Sequence, residues 1–223
     1  TMLMYNKEMF EAAGIDGAPA TAEEFWDACD KLKEAGYDAF ACRANRDEGQ
    51  NVYIWSGFFL GAGADWFDAD GNLSINTDES VAGTEAFIKV LQDYSIDGVE
   101  SYNWDNVQLA FQQGSIAMAI DATNFAARLE DESQSTVVGK VGYSVVPEGL
   151  SVPSTSTWGL GINNASENQD LAWEFIKWCL SSDVQLKTAI DGLRADVTRS
   201  SVMNSDEYKE KYAYEEGNWI QVV

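Results

Sequence analysis

The sequence predicts an α/β fold, because amphipathic helices with recognisable caps alternate with short apolar runs. Thr21 and Glu24 form a capping box ahead of an apolar stripe that ends at Gly36, which is typical of a helix packed on a core. Residues 116–120 are continuously apolar, as in a strand buried on both faces. Helices that alternate with buried strands are characteristic of the α/β class.

The first half of the chain shows these signals in regular order. Asn6 can cap a helix, and Thr77 can cap another. Residues 37–42 alternate between polar and apolar, which predicts a strand, whereas residues 52–60 are apolar enough for a buried helix. The predicted elements are helices over 7–13, 21–36, 52–60 and from 78 onward, a strand over 37–42, and an Asp-Gly hairpin turn at 70–71.

The second half repeats the alternation around a stretch rich in Ser, Thr, Gly and Pro. That stretch, residues 148–157, is the best candidate for a crossover or hinge. Ser166 resembles the start of a second capping box. The predicted elements are helices over 104–113, 125–132, 171–181 and 184–190 and from 205 onward, and strands over 116–120, 139–147 and 158–162.

Composition excludes several classes of function. The formal net charge of −23 disfavours binding to nucleic acid or to anionic membranes. The absence of histidine removes the usual general base and most zinc sites, and no glycine-rich phosphate loop is present, so no cofactor is expected. Three cysteines without regular spacing do not make a disulfide framework. A calcium loop around Gly71 fails because Trp66 and Thr77 stand where carboxylates are required, so no metal is expected either.

Candidate binding residues follow the buried strand over 116–120. Asp121, Asn124 and Phe125 would lie at its carboxyl end, where α/β sheets commonly build pockets. The alternative is a core strand followed by a solvated loop, and the pattern by itself favours that alternative.

Aromatic and planar side chains at segment ends suit a sugar ligand. Trp66 and Trp158 could stack on the C–H face of a pyranose, although a core or surface role is equally consistent for each of them. Arg194 could bind a hydroxyl pair bidentately, or it could pair with Asp191 or Asp196. A glycosidase would need two placed carboxylates, and nothing in the spacing of Asp105 and Asp121 fixes such a pair.

Six segments in a fixed order resemble a known family: the extracellular solute-binding proteins of sugar ABC importers (family 1), which include the maltose-binding proteins. The segments are MYNKEMFEAAGI (4–15), ATAEEFWDACDKL (20–32), DGNLSINTDESVAGTEAF (70–87), AFQQGSIAMAID (110–121), TWGLGINNASENQDLAWEFIKWCLSSDVQ (157–185) and GLRADVTRSSV (192–202).

This resemblance implies a type II, periplasmic-binding-protein-like fold of two lobes that close on a sugar by a hinge motion. It implies that residues 1–152 are the second lobe, that residues 153–201 are the crossover and part of the first lobe, and that residues 202–223 return to the second lobe. On the same basis we expect a fragment that lacks the N-terminal first-lobe segment, without a signal peptide of its own.

The resemblance also implies what the whole protein does. We expect a monomer, periplasmic or lipid-anchored at the cell surface, that binds a mono- or oligosaccharide without catalysis and delivers it to the membrane subunits of an ABC permease. The alternatives are a glycoside-processing enzyme and a cell-surface adhesion module.

Carried over by position, the resemblance indicates two groups of ligand-binding residues and two single residues. Gln50 and Asn51 begin the aromatic helix where such proteins contact sugar. Asp121, Asn124 and Phe125 form the cleft-facing loop, with Asn124 and Phe125 standing where many relatives place a Trp. Trp158 would follow the second crossover, and Arg194 stands near where relatives often carry Pro or Arg.

Overall fold

The computed structural model describes residues 1–192 and 194–223, apart from the side chain of Glu48. Its centre is a four-stranded sheet in the order β2-β3-β1-β4. The strands are β1 (Met2–Asn6), β2 (Phe40–Ala41), β3 (Met118–Asp121) and β4 (Val141–Ser144).

Strand directions bring several chain ends to one edge of the sheet. β1 runs antiparallel to β3, with Met2 opposite Asp121, and antiparallel to β4, with Leu3 opposite Ser144. β2 runs parallel to β3. The carboxyl ends of β2, β3 and β4 and the start of β1 therefore share an edge, which we call the polar edge because of the residues described below.

The described chain forms eleven α-helices, and most of them pack on the two faces of this sheet. They are α1 (Lys7–Ala12), α2 (Ala22–Glu34), α3 (Gln50–Gly61), α4 (Asp78–Lys89), α5 (Trp104–Gln112), α6 (Ala126–Leu129), α7 (Gln169–Cys179), α8 (Ser182–Gly192), α9 (Ser200–Met203), α10 (Asp206–Lys211) and α11 (Asn218–Val222). None of the described helices combines the length and the apolarity that crossing a bilayer requires.

Two apolar clusters form the core. One contains Phe25, Leu32 and Phe58 from α2 and α3. The other joins Phe111 of α5 with residues near the end of the chain, among them Trp219. The sheet contributes residues to both clusters, so it is buried on both faces, as its apolar sequence predicts.

The local signals for helix ends are confirmed. The Thr21 hydroxyl and the Glu24 carboxylate form both bonds of the predicted capping box. The Asn6 side chain caps α1, and Thr77 caps α4. Gly114 takes a positive φ of 66° just after α5, a conformation that commonly ends a helix.

Three predictions from local pattern were wrong. Residues 158–162 form no strand, because no neighbouring strand is present among the described residues to pair with them. The strand predicted over residues 37–42 shrinks to Phe40 and Ala41. The second capping box does not form: α7 begins after Asn168, whose side chain makes no cap bond.

The helices before and after residue 181 differ in how deeply they are buried. α7 has no buried residue, and its Trp173 and Trp178 are more than half exposed. From α8 onward the chain returns to the core, where Ala189 and Ala195 pack in the same cluster as Trp219. The assignment of these segments to two lobes, with a boundary at residue 201, stays a prediction.

Glycine allows α3 and α4 to pack at very short range. A Cβ on Gly83 of α4 would lie 2.7 Å from the Phe58 carbonyl oxygen and 2.8 Å from the Phe59 Cα. Both atoms belong to the backbone of α3 and cannot swing aside as a side chain can. The contact therefore requires a residue without a side chain.

We expect Gly83→Ala to lower the free energy of unfolding by about 1–3 kcal/mol through overpacking. This loss opposes the gain of about 1 kcal/mol that alanine has over glycine inside a helix. Gly17→Ala is the matched control, because no atom lies within 4 Å of its added Cβ; its effect should stay within about 0.5 kcal/mol. Urea denaturation measures both, and equal stability of the two variants would contradict the packing argument.

All three cysteines are free thiols. Cys29 and Cys42 are fully buried, and burial raises the pKa of both. Cys179 is only partly buried.

Iodoacetamide at pH 8 should therefore modify Cys179 first, and Cys29 and Cys42 only after denaturant is added, because the thiolate is the reactive form. Peptide mass spectrometry identifies the modified site. Early modification of Cys42 would show that the core is not closed as described.

Candidate functional site

A buried ion pair lies at the polar edge. Asp121 is the last residue of β3, and Arg43 follows the short strand β2 by two residues. The Arg43 Nε lies 2.9 and 3.1 Å from the two carboxylate oxygens of Asp121, and Nη2 completes the bidentate contact. The Asp121 side chain is 0% exposed and that of Arg43 is 12% exposed. The pair joins two neighbouring strands where both end.

The electrostatics of Asp121 depend on this partner. Complete burial raises the pKa of the Asp121 carboxyl, while the hydrogen bonds and charge of Arg43 oppose that rise. The backbone N–H of Ala122 donates a further bond to Oδ1, at 2.6 Å. A buried carboxylate with several donors and a guanidinium partner is compensated, whereas the same group without its partner would be very costly.

Helix α3 brings Tyr53 to this pair. The guanidinium carbon of Arg43 lies 4.4 Å from the centre of the Tyr53 ring, in a cation–π contact. Gln50 lies one helical turn before Tyr53 on the same side of α3. Gly57 lies one turn after it, against Ser151 and Val152, where an added Cβ would lie 2.5 Å from the Ser151 Oγ. This face of α3 is therefore packed closely against residues 151–152.

The loop after β3 contributes Asn124. Residues Thr123–Phe125 form a single 3₁₀ turn, so Asn124 stays close to the end of the strand. Its Oδ1 is buried without a hydrogen-bond partner among the described residues, and the same is true of the Gln50 Oε1. Unpaired buried acceptors are uncommon in folded proteins and call for an explanation.

The aromatic ring of this loop is not accessible. Phe125 is 0% exposed, and its ring packs edge-on against Trp104 with the ring centres 5.3 Å apart. The Trp219 Nε1 donates to the Thr123 carbonyl at 3.3 Å and ties the loop to α11. In this structure Phe125 anchors the loop, and its contact with a ligand stays a prediction.

Three other predicted residues pack elsewhere or are exposed. Trp66 packs against Trp55 and Phe59, with ring centres 5.6 and 5.0 Å apart. Those two rings project from the side of α3 opposite Tyr53. Trp158 is 95% exposed. Arg194 makes the exposed pair with Asp196 that the sequence allowed as its alternative, at 3.0 Å.

Asp121 and Asn124 thus lie at and just after the end of β3, and the structure adds Arg43 and Tyr53, which sequence reasoning missed. Gln50 is the first residue of α3, one turn before Tyr53. Asn51 follows Gln50, and its backbone N–H donates to the Asn45 carbonyl at 2.9 Å. Direct ligand contact by any of the predicted residues stays a prediction. Arg43 carried no local signal, because its role depends on a partner 78 residues away.

Metal binding has no support in the described part of the chain, where no three acidic or cysteine side chains are placed to hold an ion. The hairpin acids have a structural role. Asp68 accepts from the backbone N–H groups of Asp70 and Asn72, and these bonds, with Asn72 first, lower the pKa of Asp68. The turn is stabilised by its own carboxylate.

We expect Arg43→Met to lower the free energy of unfolding by about 3–5 kcal/mol, because it leaves the Asp121 carboxylate buried and unpaired. The double variant Arg43→Met/Asp121→Leu should recover most of that loss, because it removes both charges. Arg194→Met is the control: its exposed pair with Asp196 should contribute about 1 kcal/mol at most. Urea denaturation measures all three, and a loss no larger in Arg43→Met than in Arg194→Met would refute the role given to the buried pair.

Comparisons with known proteins point to one family. The family model described as bacterial extracellular solute-binding protein matches residues 1–186. The chain is 25% identical over 194 residues to a probable amino-acid ABC transporter periplasmic-binding protein, y4oP, of Sinorhizobium fredii. That match covers 86% of this chain and 44% of the relative.

Solved structures extend the likeness to the whole chain. The maltose-bound MalE3 of T. maritima matches with a TM-score of 0.86 and 25% identity over 99% of this chain and 57% of that protein. A solute-binding protein from Agrobacterium radiobacter K84, in complex with ribitol, matches with a TM-score of 0.86 and 27% identity over 99% and 55%. The chain spans about half the length of these relatives, and its fold is that of type II periplasmic binding proteins.

Proposed function

Because the chain belongs to the bacterial extracellular solute-binding protein family, we propose that it is part of a receptor that binds a carbohydrate or sugar alcohol. The observation that carries this proposal is the polar edge, where the Arg43 guanidinium, the Tyr53 ring and the loop after β3 lie at the carboxyl ends of strands. Ligands of open α/β sheets bind at such ends. Two relatives of this fold are named for bound maltose and ribitol, both polyhydroxylated and uncharged.

An amino-acid ligand is the second candidate, because the printed name of one relative includes it. An amino acid needs a free cation for its carboxylate and a free anion for its ammonium group. At the polar edge the Arg43 and Asp121 charges are already paired with each other. This pairing favours a neutral ligand over a zwitterionic one.

Catalysis finds no support in the placement of the acids. Asp121 is buried in its ion pair, whereas Asp105 is exposed in the first turn of α5. A glycosidase needs two carboxylates that face one scissile bond. We therefore propose binding and release without chemical change.

The partners follow from the family. We propose delivery to an ABC permease by a protein that is periplasmic or lipid-anchored outside the cell and works as a monomer. Residues 1–152 would form the second lobe, residues 153–201 the crossover and part of the first, and residues 202–223 a return. The exposed apolar face of α7 supports this division, because a helix with Trp173 and Trp178 in solvent needs a covering surface.

The full-length gene product should bind at least one neutral polyol or sugar. We expect D-mannitol, ribitol or maltose at 100 times its dissociation constant to raise the free energy of unfolding by about 2.7 kcal/mol. Calorimetry and thermal denaturation measure this.

The twenty L-amino acids form the matched comparison set in the same experiment. Stabilisation by an amino acid, with none by any sugar or polyol, would overturn the proposed ligand class. Release of reducing sugar from an oligosaccharide would favour the enzyme instead.

A further inference from the structure

The sheet ends on one side at strand β4. β4 pairs with β1, and no strand among the described residues pairs with its other side, which we call the free side of β4. The run from Val141 to Val146 contains no charged residue and no proline, and four of its six residues are β-branched or aromatic. Uncharged segments of this composition on an unpaired strand readily pair with strands of other molecules. The free side of β4 is therefore a surface to which a second chain could add a strand.

Two side chains occupy this surface in place of a strand. They belong to residues 214–222, which end in α11 and which we call the cover segment. The Oε2 of Glu215 accepts from the Tyr143 backbone N–H at 2.9 Å, and the Nδ2 of Asn218 donates to the Tyr143 carbonyl oxygen at 2.7 Å. The same Nδ2 donates to the Glu215 Oε2 at 2.7 Å. The two side chains thus satisfy both main-chain groups that Tyr143 would offer to a neighbouring strand.

The backbone of the cover segment is strained where it presents Glu215. Glu215 and Glu216 have φ values of 51° and 58°, and they are the non-glycine residues with positive φ in the described part of the chain. This conformation is unfavourable for a residue with a Cβ, and it persists only where the surrounding contacts fix it. Trp219 supplies such a contact, since it is 1% exposed and its ring centre lies 5.5 Å from that of Tyr212. The strain indicates that the placement of the Glu215 carboxylate is a selected feature.

The charge of Glu215 adds to the effect of its hydrogen bonds. In a symmetric dimer the same surface of each copy meets the other, so two β4 strands would pair antiparallel around a two-fold axis. The Glu215 carboxylates of both copies would then lie at one interface, in a chain whose net charge is already −23. Charged side chains on an edge strand are a common means of preventing such pairing.

We propose that Glu215 and Asn218 cap the free side of β4 and thereby prevent a second copy of this chain from adding its own β4 there. The partner is a second copy because every copy carries the same uncharged run. This inference does not depend on which ligand the protein binds. It assigns to the cover segment the role of keeping the chain monomeric.

The first test compares Glu215→Ala with Glu216→Ala in the full-length gene product. Both variants lose one negative charge at adjacent positions of the same backbone conformation, but only Glu215 bonds to β4. We expect the Tyr143 backbone N–H to exchange its hydrogen about tenfold faster in Glu215→Ala, because its acceptor is gone, and at an unchanged rate in Glu216→Ala. Hydrogen-exchange mass spectrometry on peptides that contain Tyr143 measures both rates.

The second test measures self-association by sedimentation velocity over a range of protein concentrations. We expect Glu215→Ala to form dimers at concentrations at which the unmodified protein and Glu216→Ala sediment as monomers. The double variant Glu215→Ala/Val145→Lys should be monomeric again. Val145 continues the uncharged run and is 63% exposed, so a lysine there fits the monomer but opposes strand pairing.

Each result bears on the proposal. A monomeric Glu215→Ala, even with faster exchange at Tyr143, would overturn it. Equal dimerisation of Glu216→Ala would attribute the effect to lost charge, and dimers that persist with Val145→Lys would place the contact elsewhere; either result rejects the cap. If Glu215→Ala does not fold, Asn218→Ala decides, because it removes the bond to the Tyr143 carbonyl. A monomeric Asn218→Ala then rejects the proposal.

Discussion

Two opposite charges removed from water impose the main constraint on this protein. Asp121 ends a buried strand, where an unpaired carboxylate would cost several kcal/mol, so Arg43 must stay in place. Arg43 in turn fixes the turn after β2, and its contact with Tyr53 orients the first turns of α3. The hydrogen-bonding groups at the polar edge therefore have defined positions before any ligand arrives, which lowers the entropic cost of binding.

Sequence reasoning predicted the features whose causes are local. The capping box at Thr21 and the caps at Asn6 and Thr77 each depend on residues within one helical turn. The burial of β3 followed from its unbroken apolar run. The ion pair joins residues 78 positions apart, and no pattern along the chain connects Arg43 to Asp121. The candidate loop was placed correctly at a strand end, but the residue that orients its carboxylate could not be foreseen.

The segment from 154 to 181 shows where a local sequence pattern fails to predict the packing. Residues 158–162 have the composition of a strand, yet a strand exists only if a neighbour supplies hydrogen-bond partners, and none is present in the described chain. The helix α7 has a genuine apolar stripe, but Trp173 and Trp178 face solvent. Both patterns are those of a buried α/β layer, whereas α8 and the three helices after it each contribute a buried residue to the core cluster that includes Trp219.

The polar edge and the exposed helix α7 together indicate how a site of this kind works. A rigid set of polar groups at the polar edge can supply selectivity, because each donor or acceptor has a fixed direction and leaves a mismatched ligand with unpaired groups. It cannot by itself exclude water, since Arg43 is still partly exposed. Strong hydrogen bonding to a neutral hydroxyl requires a second surface that shields the site from solvent. The apolar stripe of α7 also needs a partner that covers it, because a large exposed apolar patch usually marks an interaction surface. The exposed stripe and the partly exposed polar edge thus both require a second surface.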